Sequence, residues 1–399
     1  MKKGWESKEL KAVSAINYGY TESASADPVG PRFLRITDIQ NDCVDWENIP
    51  YCKIEKEDLR KYCLERGDIV FARTGATTGK SFLVCDPPKD TVFASYLIRL
   101  RLLDKELLPD FVSLFFQTAG YWQTIKEGSS GSAQGGFNAT KLGALSIPFP
   151  SLPEQQRIVS ILDDAFAGIA TAKANAEKNL QNARALFESH LQAVFSQRSD
   201  GWKQVRIEDA CESIMDCVNK TAPKVEGPTS FKMIRTTNVR NGQVNLDSVN
   251  YVTEDVYRIW TRRQIPKQGD VLLTREAPMG EVGMLLSEEK VFLGQRLVSY
   301  RANPLKLNNR FLLYALQSTE LQNQIHALAS GSTVQHMRVP DSKNLLLPLP
   351  DLMKQIKVVT TLDALHEETK RLESIYRHKL ATLDELKKSM LHQAFSGQL

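Results

Sequence analysis

The sequence predicts an α+β protein. Two similar globular α/β domains are separated by a long antiparallel two-helix coiled coil, and the halves are related as a pseudo-two-fold internal repeat. Three observations predict it. First, the 399-residue chain repeats itself at an offset of about 200 residues. Gly331-Ser332 follows Gly131-Ser132, Pro348, Pro350 and Leu352 follow Pro148, Pro150 and Leu152, Leu362-Asp363 follows Leu162-Asp163, and Phe395-Ser396 follows Phe195-Ser196. Second, each half opens with short β-rich runs broken by Gly, Asp and Asn. Third, each half closes on one long stretch with heptad spacing. A duplicated domain engages two similar targets, or one target at two places.

The elements follow in order. Phe33–Ile39 reads as a strand matched by Met233–Val239, and Gly67–Arg73 as one matched by Gly269–Arg275. Val92–Leu102 and Val291–Ala302 read as further strands. Phe111–Ile125 and Phe311–Leu328 carry apolar residues three and four apart and read as helices. Proline-punctuated hinges follow at Ile147–Pro153 and Leu347–Leu352. Ser151-Leu152-Pro153-Glu154 then has the form of a capping box with proline in the first turn. In the second half Asp351 can cap, but Lys354 replaces the glutamate.

Counting by sevens along the first long helix gives Ile158, Ala165, Ala172, Asn179 and Leu186, interleaved with Leu162, Ile169, Ala176, Ala183 and His190. The second gives Val358, Leu365, Leu372, Lys379 and Leu386, with Leu362, Thr369, Tyr376, Leu383 and Met390. A helix of that length is unstable with one apolar face exposed, so each is the other's simplest partner. Antiparallel pairing places the globular domains at opposite ends of a rod. The expected division is 1–152 and 200–352 for the domains, 153–199 and 353–399 for the helices.

No apolar run reaches the roughly 18–20 residues that span a bilayer, and no apolar region follows Lys2-Lys3, so a cytoplasmic location is expected. The six cysteines ignore the repeat and form no CxxC pair, so they read as ordinary thiols with no zinc site. A net charge of +4 permits nucleic-acid binding without demanding it.

No catalytic constellation is complete in the sequence. Gly79-Lys80-Ser81 ends like a phosphate-binding loop, but Thr74 stands where its first glycine belongs. Asp86-Pro87-Pro88-Lys89 lacks the aromatic residue with which an adenine methyltransferase stacks a flipped base. Asp270 with Glu288 and Lys290 formally fits a metal-dependent nuclease, but the first half has no equivalent. His190, His366, His378 and His392 form no HExxH pair.

What remains is a recognition surface. Polar loops at matching places carry the residue types that touch phosphates and base edges. The DNA-binding candidates are Arg35, Arg73, Thr74, Thr77, Lys80, Ser132, Gln134 and Asn138 in the first half. In the second they are Arg235, Asn238, Arg275, Ser332, Gln335 and Arg338. The frame is shared and the contents differ, as for two readers of different bases.

These residues resemble the specificity subunits of type I restriction-modification systems over the full chain. The signature is Ile147-Pro148-Phe149-Pro150-Ser151-Leu152-Pro153-Glu154-Gln155-Gln156-Arg157-Ile158, with a degraded copy in Leu347–Ile356 that keeps Gln355. The Gly67-Asp68-Ile69-Val70 and Gly269-Asp270-Val271-Leu272 runs and the ending Ala394–Leu399 are also similar to the family. The resemblance implies target recognition domains that each read half of an asymmetric, interrupted site in double-stranded DNA. It implies helices that set the gap and help hold two modification (methyltransferase) subunits, with Glu154, Gln155, Arg157 and Gln355 as partner-binding candidates. S-adenosylmethionine, ATP and Mg would sit on the modification and restriction (translocase and nuclease) subunits, and this chain would catalyse nothing and bind no metal. The competing readings are a stand-alone DNA nuclease or modification enzyme, and a coiled-coil adaptor that recognises protein.

Overall fold

The structure, a computed structural model, describes residues 4–40, 42–129, 137–197, 201–330 and 335–399. The chain divides into two compact units: Met1–Glu177 with Arg377–Leu399, and Lys178–Tyr376. Each unit thus joins a mixed domain to the first part of the long helix that follows it and to the last part of the other long helix.

In the first unit a four-stranded antiparallel sheet runs Ser14–Tyr18, Leu97–Leu102, Ile69–Ala72, Ser81–Leu83. Ile69–Ala72 is buried on both faces because its run of apolar residues feeds two cores by strand alternation. Ile69 and Phe71 join the large cluster that also takes Phe111, Ile158, Leu162, Leu391 and Ala394. Val70 joins a smaller cluster with Leu34 and Phe93 on the other face. The second unit repeats the device in a six-stranded sheet, where Val271 and Leu273 face the cluster holding Leu191, Phe195 and Leu362, and Leu272 faces away. Each such buried side chain contributes about 1.5–3 kcal/mol of transfer free energy.

Several predicted elements are broken, four of them by an identifiable polar residue. Phe33–Ile39 is a strand Phe33–Leu34, a 3-10 turn Ile36–Asp38 and a strand starting at Ile39. The Asp38 carboxylate accepts the Arg35 backbone N–H at 2.8 Å and curls the chain. Asn238 does the same for Arg235 at 2.9 Å. The helix expected over Phe111–Ile125 is two, Pro109–Phe115 and Ala119–Ser129, because the Thr118 hydroxyl accepts the Tyr121 N–H and restarts the turn. Ser318 does this through Leu321, separating Asn309–Gln317 from Thr319–Ala327. Val92–Leu102 and Val291–Ala302 each break at a turn, giving Val92–Phe93 with Leu97–Leu102, and Lys290–Leu293 with Leu297–Ala302.

The proline hinges begin as strands and end in the first turn of the long helices. Ser146–Phe149 pairs antiparallel with Glu6–Glu9, and Leu346–Leu349 with Lys203–Arg206. Pro148 and Pro348 lack an N–H, which a two-stranded ladder tolerates.

The long helices are Leu152–Ser196 and Leu352–Ser396, 45 residues each. Within the first unit Arg157 meets Leu399, Phe166 meets Lys387 and Lys173 meets Asp384. Within the second, Arg184 meets Glu373 and Phe187 meets His366. In both, one number rises as the other falls, so the helices run antiparallel.

One of the two heptad sets is corrected. Leu162, Ile169, Ala176 and Ala183 are buried at seven-residue spacing, but Asn179 is exposed and Leu186 is 51% exposed. Leu180 and Phe187, one position later, take their places, while Ile158 is buried and Ala165 and Ala172 are half-buried beside Phe166 and Lys173. The second helix does the same, with Lys379 and Leu386 turned to solvent and Leu380 and Lys387 inward, while Val358, Leu365 and Leu372 are half-buried beside His366 and Glu373. The physical reason is the step from Ile158 through Leu162 to Phe166. In a helix of 3.6 residues per turn each four-residue step overshoots a full turn by about 40°, so two in succession rotate the seam onto the next residue.

Candidate nucleic-acid interface

Three segments of each domain converge on one arginine. Arg73 follows the buried strand Ile69–Ala72, its N–H donates to the Tyr96 carbonyl at 3.1 Å, and its carbonyl accepts the Phe137 N–H at 3.1 Å. In the second unit the Arg275 N–H donates to the Arg296 carbonyl at 2.8 Å and its carbonyl accepts the Met337 N–H at 3.0 Å. The strand end, the turn between two strands and the entry to a short helix therefore meet in the same way in both domains.

The side chains diverge. The Arg73 guanidinium lies over the Tyr18 ring, 4.9 Å from its centroid, and donates to the Ser95 carbonyl at 3.4 Å. The Tyr18 hydroxyl accepts the Ala139 N–H at 3.1 Å. Arg275 instead donates from Nη1 to the Met337 carbonyl at 2.9 Å, and its buried Nε has no partner among the described residues.

The loop after Arg73 is a pinned hairpin and not a phosphate cradle. Gly79 N–H donates to the Ala72 carbonyl at 2.8 Å, Lys80 N–H to the Thr77 carbonyl at 2.9 Å, and the buried Tyr121 hydroxyl to the Gly79 carbonyl at 2.5 Å. Gly79 has φ +85°, and a Cβ there would stand 2.9 Å from Ile125, so the turn needs glycine. Burial pushes the Tyr121 phenol above its ordinary range, so the hydroxyl stays a donor.

The candidate residues sort by what holds them. Thr74, Thr77 and Gln335 are exposed. Lys80 pairs with Asp42 at 3.3 Å, and Arg338 with Asp341 at 2.7 Å. Arg35 is bound to Asp38, and Asn138 caps the helix Ala139–Gly143 by accepting the Lys141 N–H. Arg235 donates to the Ser248 carbonyl at 3.2 Å. Asn238 is corrected: its Oδ1 accepts from Arg235 and its Nδ2 donates to Ser248, so it builds the turn, and at 2% exposure it offers no surface to a ligand. Ser132, Gln134 and Ser332 lie outside the described residues. Sequence reasoning missed Tyr18, Tyr96 and Arg296, which become neighbours of the central arginines only through long-range contacts, and Glu276, which follows Arg275 and pairs with Arg296.

Two partner-binding candidates are also corrected. Gln155 and Gln355 are fully buried. Gln155 Oε1 accepts the Leu108 N–H at 3.0 Å, and its Nε2 donates to the carbonyls of Glu106 at 2.7 Å and Pro150 at 2.8 Å. Such a side chain positions the helix start and contacts no other protein. Glu154 and Arg157 pair with each other at 2.8 Å near the surface, and Arg157 also donates to the Leu399 carbonyl.

The nuclease-like match dissolves. Asp270 is buried and takes both arms of Arg301, at 2.8 and 2.7 Å, while its Oδ2 also accepts the Lys267 N–H. Asp68 holds Arg101 and the Glu65 N–H in the same way. These carboxylates lock a loop to a strand and are unavailable to a metal. Among the described residues no group of three or more His, Cys, Asp or Glu is placed to hold a metal ion, and no helix is long and apolar enough to cross a membrane.

A duplicated mixed domain with one polar loop cluster per copy, joined to paired long helices, defines a two-headed recognition protein. The chain belongs to the type I restriction modification DNA specificity domain family, which it matches twice, at residues 2–181 and 199–377. It is similar to the EcoBI type I restriction enzyme specificity subunit of Escherichia coli, 22% identical over 76% of this chain and 69% of that one. It is equally similar to the MjaVIII specificity subunit of Methanocaldococcus jannaschii, 22% identical over 87% of this chain and 82% of that one. Its fold resembles the crystal structure of the HsdS subunit from Thermoanaerobacter tengcongensis, with a TM-score of 0.64, 18% identity and coverage of 100% of this chain and 98% of that one. A chain from a type I restriction-modification assembly study superposes with a TM-score of 0.79 at 19% identity, over 100% and 99%.

Proposed function

We propose that this chain reads a bipartite, asymmetric duplex DNA target, one half-site per domain, and directs adenine-N6 methylation or restriction carried out by partner subunits. The observation that carries this reading is the shared backbone frame around Arg73 and Arg275 with different side chains mounted on it. A common frame docks both domains on DNA alike, and unlike side chains read unlike bases. Two modification subunits would supply the S-adenosylmethionine chemistry, and restriction subunits the ATP- and Mg-dependent steps. The exposed Arg157 at the start of the first long helix suits a partner contact, whereas the buried glutamines do not. The locked state of Asp270 counts against a stand-alone nuclease.

The test replaces residues 1–152 with the corresponding domain of another family member and maps methylated adenines in cells that carry the modification subunits. One half of the recognised sequence changes and the other stays. A motif unchanged in both halves would refute the reading, as would methyl transfer by the purified chain without a partner.

A further inference from the structure

The turn that closes on Arg73 holds an aromatic ring that packing does not require. Tyr96 is 63% exposed and belongs to none of the buried clusters among the described residues. Its backbone is nevertheless fixed on both sides. Its carbonyl accepts Arg73 N–H at 3.1 Å, Ser95 N–H donates to the Tyr20 carbonyl at 2.8 Å, and Leu97 N–H to the Ala94 carbonyl at 2.8 Å. Tyr18, itself partly exposed and stacked under the Arg73 guanidinium, lines the same corner. A large ring on a rigid turn loses little conformational entropy on binding, which suits it to contact a ligand.

The second domain keeps the turn and changes its chemistry. The residue whose carbonyl accepts from Arg275 is Arg296, at φ +73°, with its guanidinium 3.2 Å from Glu276. At the strand position of Tyr18, which pairs with Ile98, stands Asp216, which pairs with Val298 and is bound by Arg263. One corner is aromatic and the other is a set of charge pairs.

We infer that Tyr96 is a specificity-determining residue for the first half-site, its ring contacting a base edge with an apolar substituent. In unmodified duplex DNA that substituent is the thymine C5-methyl group in the major groove. The inference rests on the bipartite reading above. The Arg73 guanidinium, seated over the Tyr18 ring in the same corner, supplies the accompanying polar contact to an acceptor on the same or the next base pair.

The experiment uses the full chain in complex with its modification subunits. Methylation rates are measured on the mapped target and on duplexes with deoxyuridine at each first-half thymine in turn, a change that removes only the methyl group. For the unaltered chain one such duplex is methylated about tenfold more slowly. Tyr96→Ala shows a loss of that size on the normal target and no further loss on that duplex, and its cellular motif relaxes at one first-half position. Tyr96→Phe behaves like the unaltered protein, and Arg296→Ala affects only the second half. A first half-site without thymine, or indifference of the unaltered complex to every deoxyuridine, overturns the inference without recourse to a variant. If the domain exchange moves one half of the motif but these substitutions do nothing, the inference alone fails. If the exchange moves nothing, the bipartite reading fails with it.

Discussion

Gln155 and Gln355 close the same three-bond clamp, each in its own unit. Gln355 Oε1 accepts the Asn308 N–H at 2.8 Å, and its Nε2 donates to the carbonyls of Lys306 at 2.9 Å and Pro350 at 2.8 Å, matching Gln155 with Leu108, Glu106 and Pro150. Each clamp ties the first turn of a long helix to the strand end before it and to the entry of the helix packed beside it. One buried amide thus joins each long-helix start to its domain, beside the core packing of Ile158 and Leu162 or of Val359 and Leu362. This explains why the degraded second signature retains its glutamine while losing the neighbouring glutamate.

Replacing either glutamine with leucine should strand one N–H and two carbonyls. Each unsatisfied buried group costs about 1–3 kcal/mol, so the expected loss is at least about 2 kcal/mol. Denaturant unfolding measures the loss, and amide exchange at Leu108 or Asn308 should rise selectively. The exposed neighbour Gln156 is the control, and its replacement with alanine should change stability by less than about 0.5 kcal/mol. Equal effects at 155 and 156 would refute the clamp.

Asp270→Ala leaves Arg301 mostly buried without its partner, and about 3 kcal/mol of stability should go with it. Asp68→Ala should cost less, because Arg101 keeps its ion pair with Glu65 at 2.8 Å. Glu288→Ala, at an exposed position, should be silent. Thermal unfolding separates these outcomes from those of a nuclease centre, in which Glu288 would matter for activity and Asp68 would not.

His366 packs on Phe187 with ring centroids 4.8 Å apart, and burial lowers its pKa from 6.5, helped by Lys370 and Arg310 and opposed by Glu367 and Asp363. Below about pH 6.5 the unfolded chain binds this proton more readily than the folded one. Stability from this site is thus full above pH 6.5 and declines as pH falls through the lowered folded value. His366→Phe, which copies Phe166 of the first half, should flatten the stability–pH slope between pH 7 and 5. An unchanged slope in the variant would rule out this role.

The corrected helix seam predicts unequal tolerance. Leu186→Glu should be nearly neutral, because Leu186 is half exposed. Leu162→Ala should cost about 2–5 kcal/mol, because Leu162 is fully buried in the large cluster of the first unit. Leu180→Glu should lower stability where Leu186→Glu does not. Unfolding of the three variants side by side is the check, and a cost at 186 equal to that at 180 would restore the original heptad.

The repeat, the two long helices and their buried Leu162–Ile169–Ala176–Ala183 row were legible because they depend on periodicity and composition, which are local. The breaks at Asp38, Thr118 and Ser318 were less legible. A single side chain that accepts a backbone N–H overrides the propensity of an apolar run, and the same residue types also occur harmlessly elsewhere. Asn238, Gln155 and Gln355 were misread for a related reason. A polar side chain in a loop or first turn reads as available until the tertiary fold shows it buried and bonded internally.

By itself the sequence determined the plan: one domain written twice, each copy leading into a heptad helix, with polar loops whose positions match and whose contents differ. Only the tertiary structure decided which loop residues share a corner. The bonds that bring Tyr96 and Phe137 to Arg73, and Arg296 and Met337 to Arg275, join backbone groups far apart in the chain. No periodicity or motif encodes such a meeting, because it is fixed by strand pairing and core packing around the residues and not by the residues themselves.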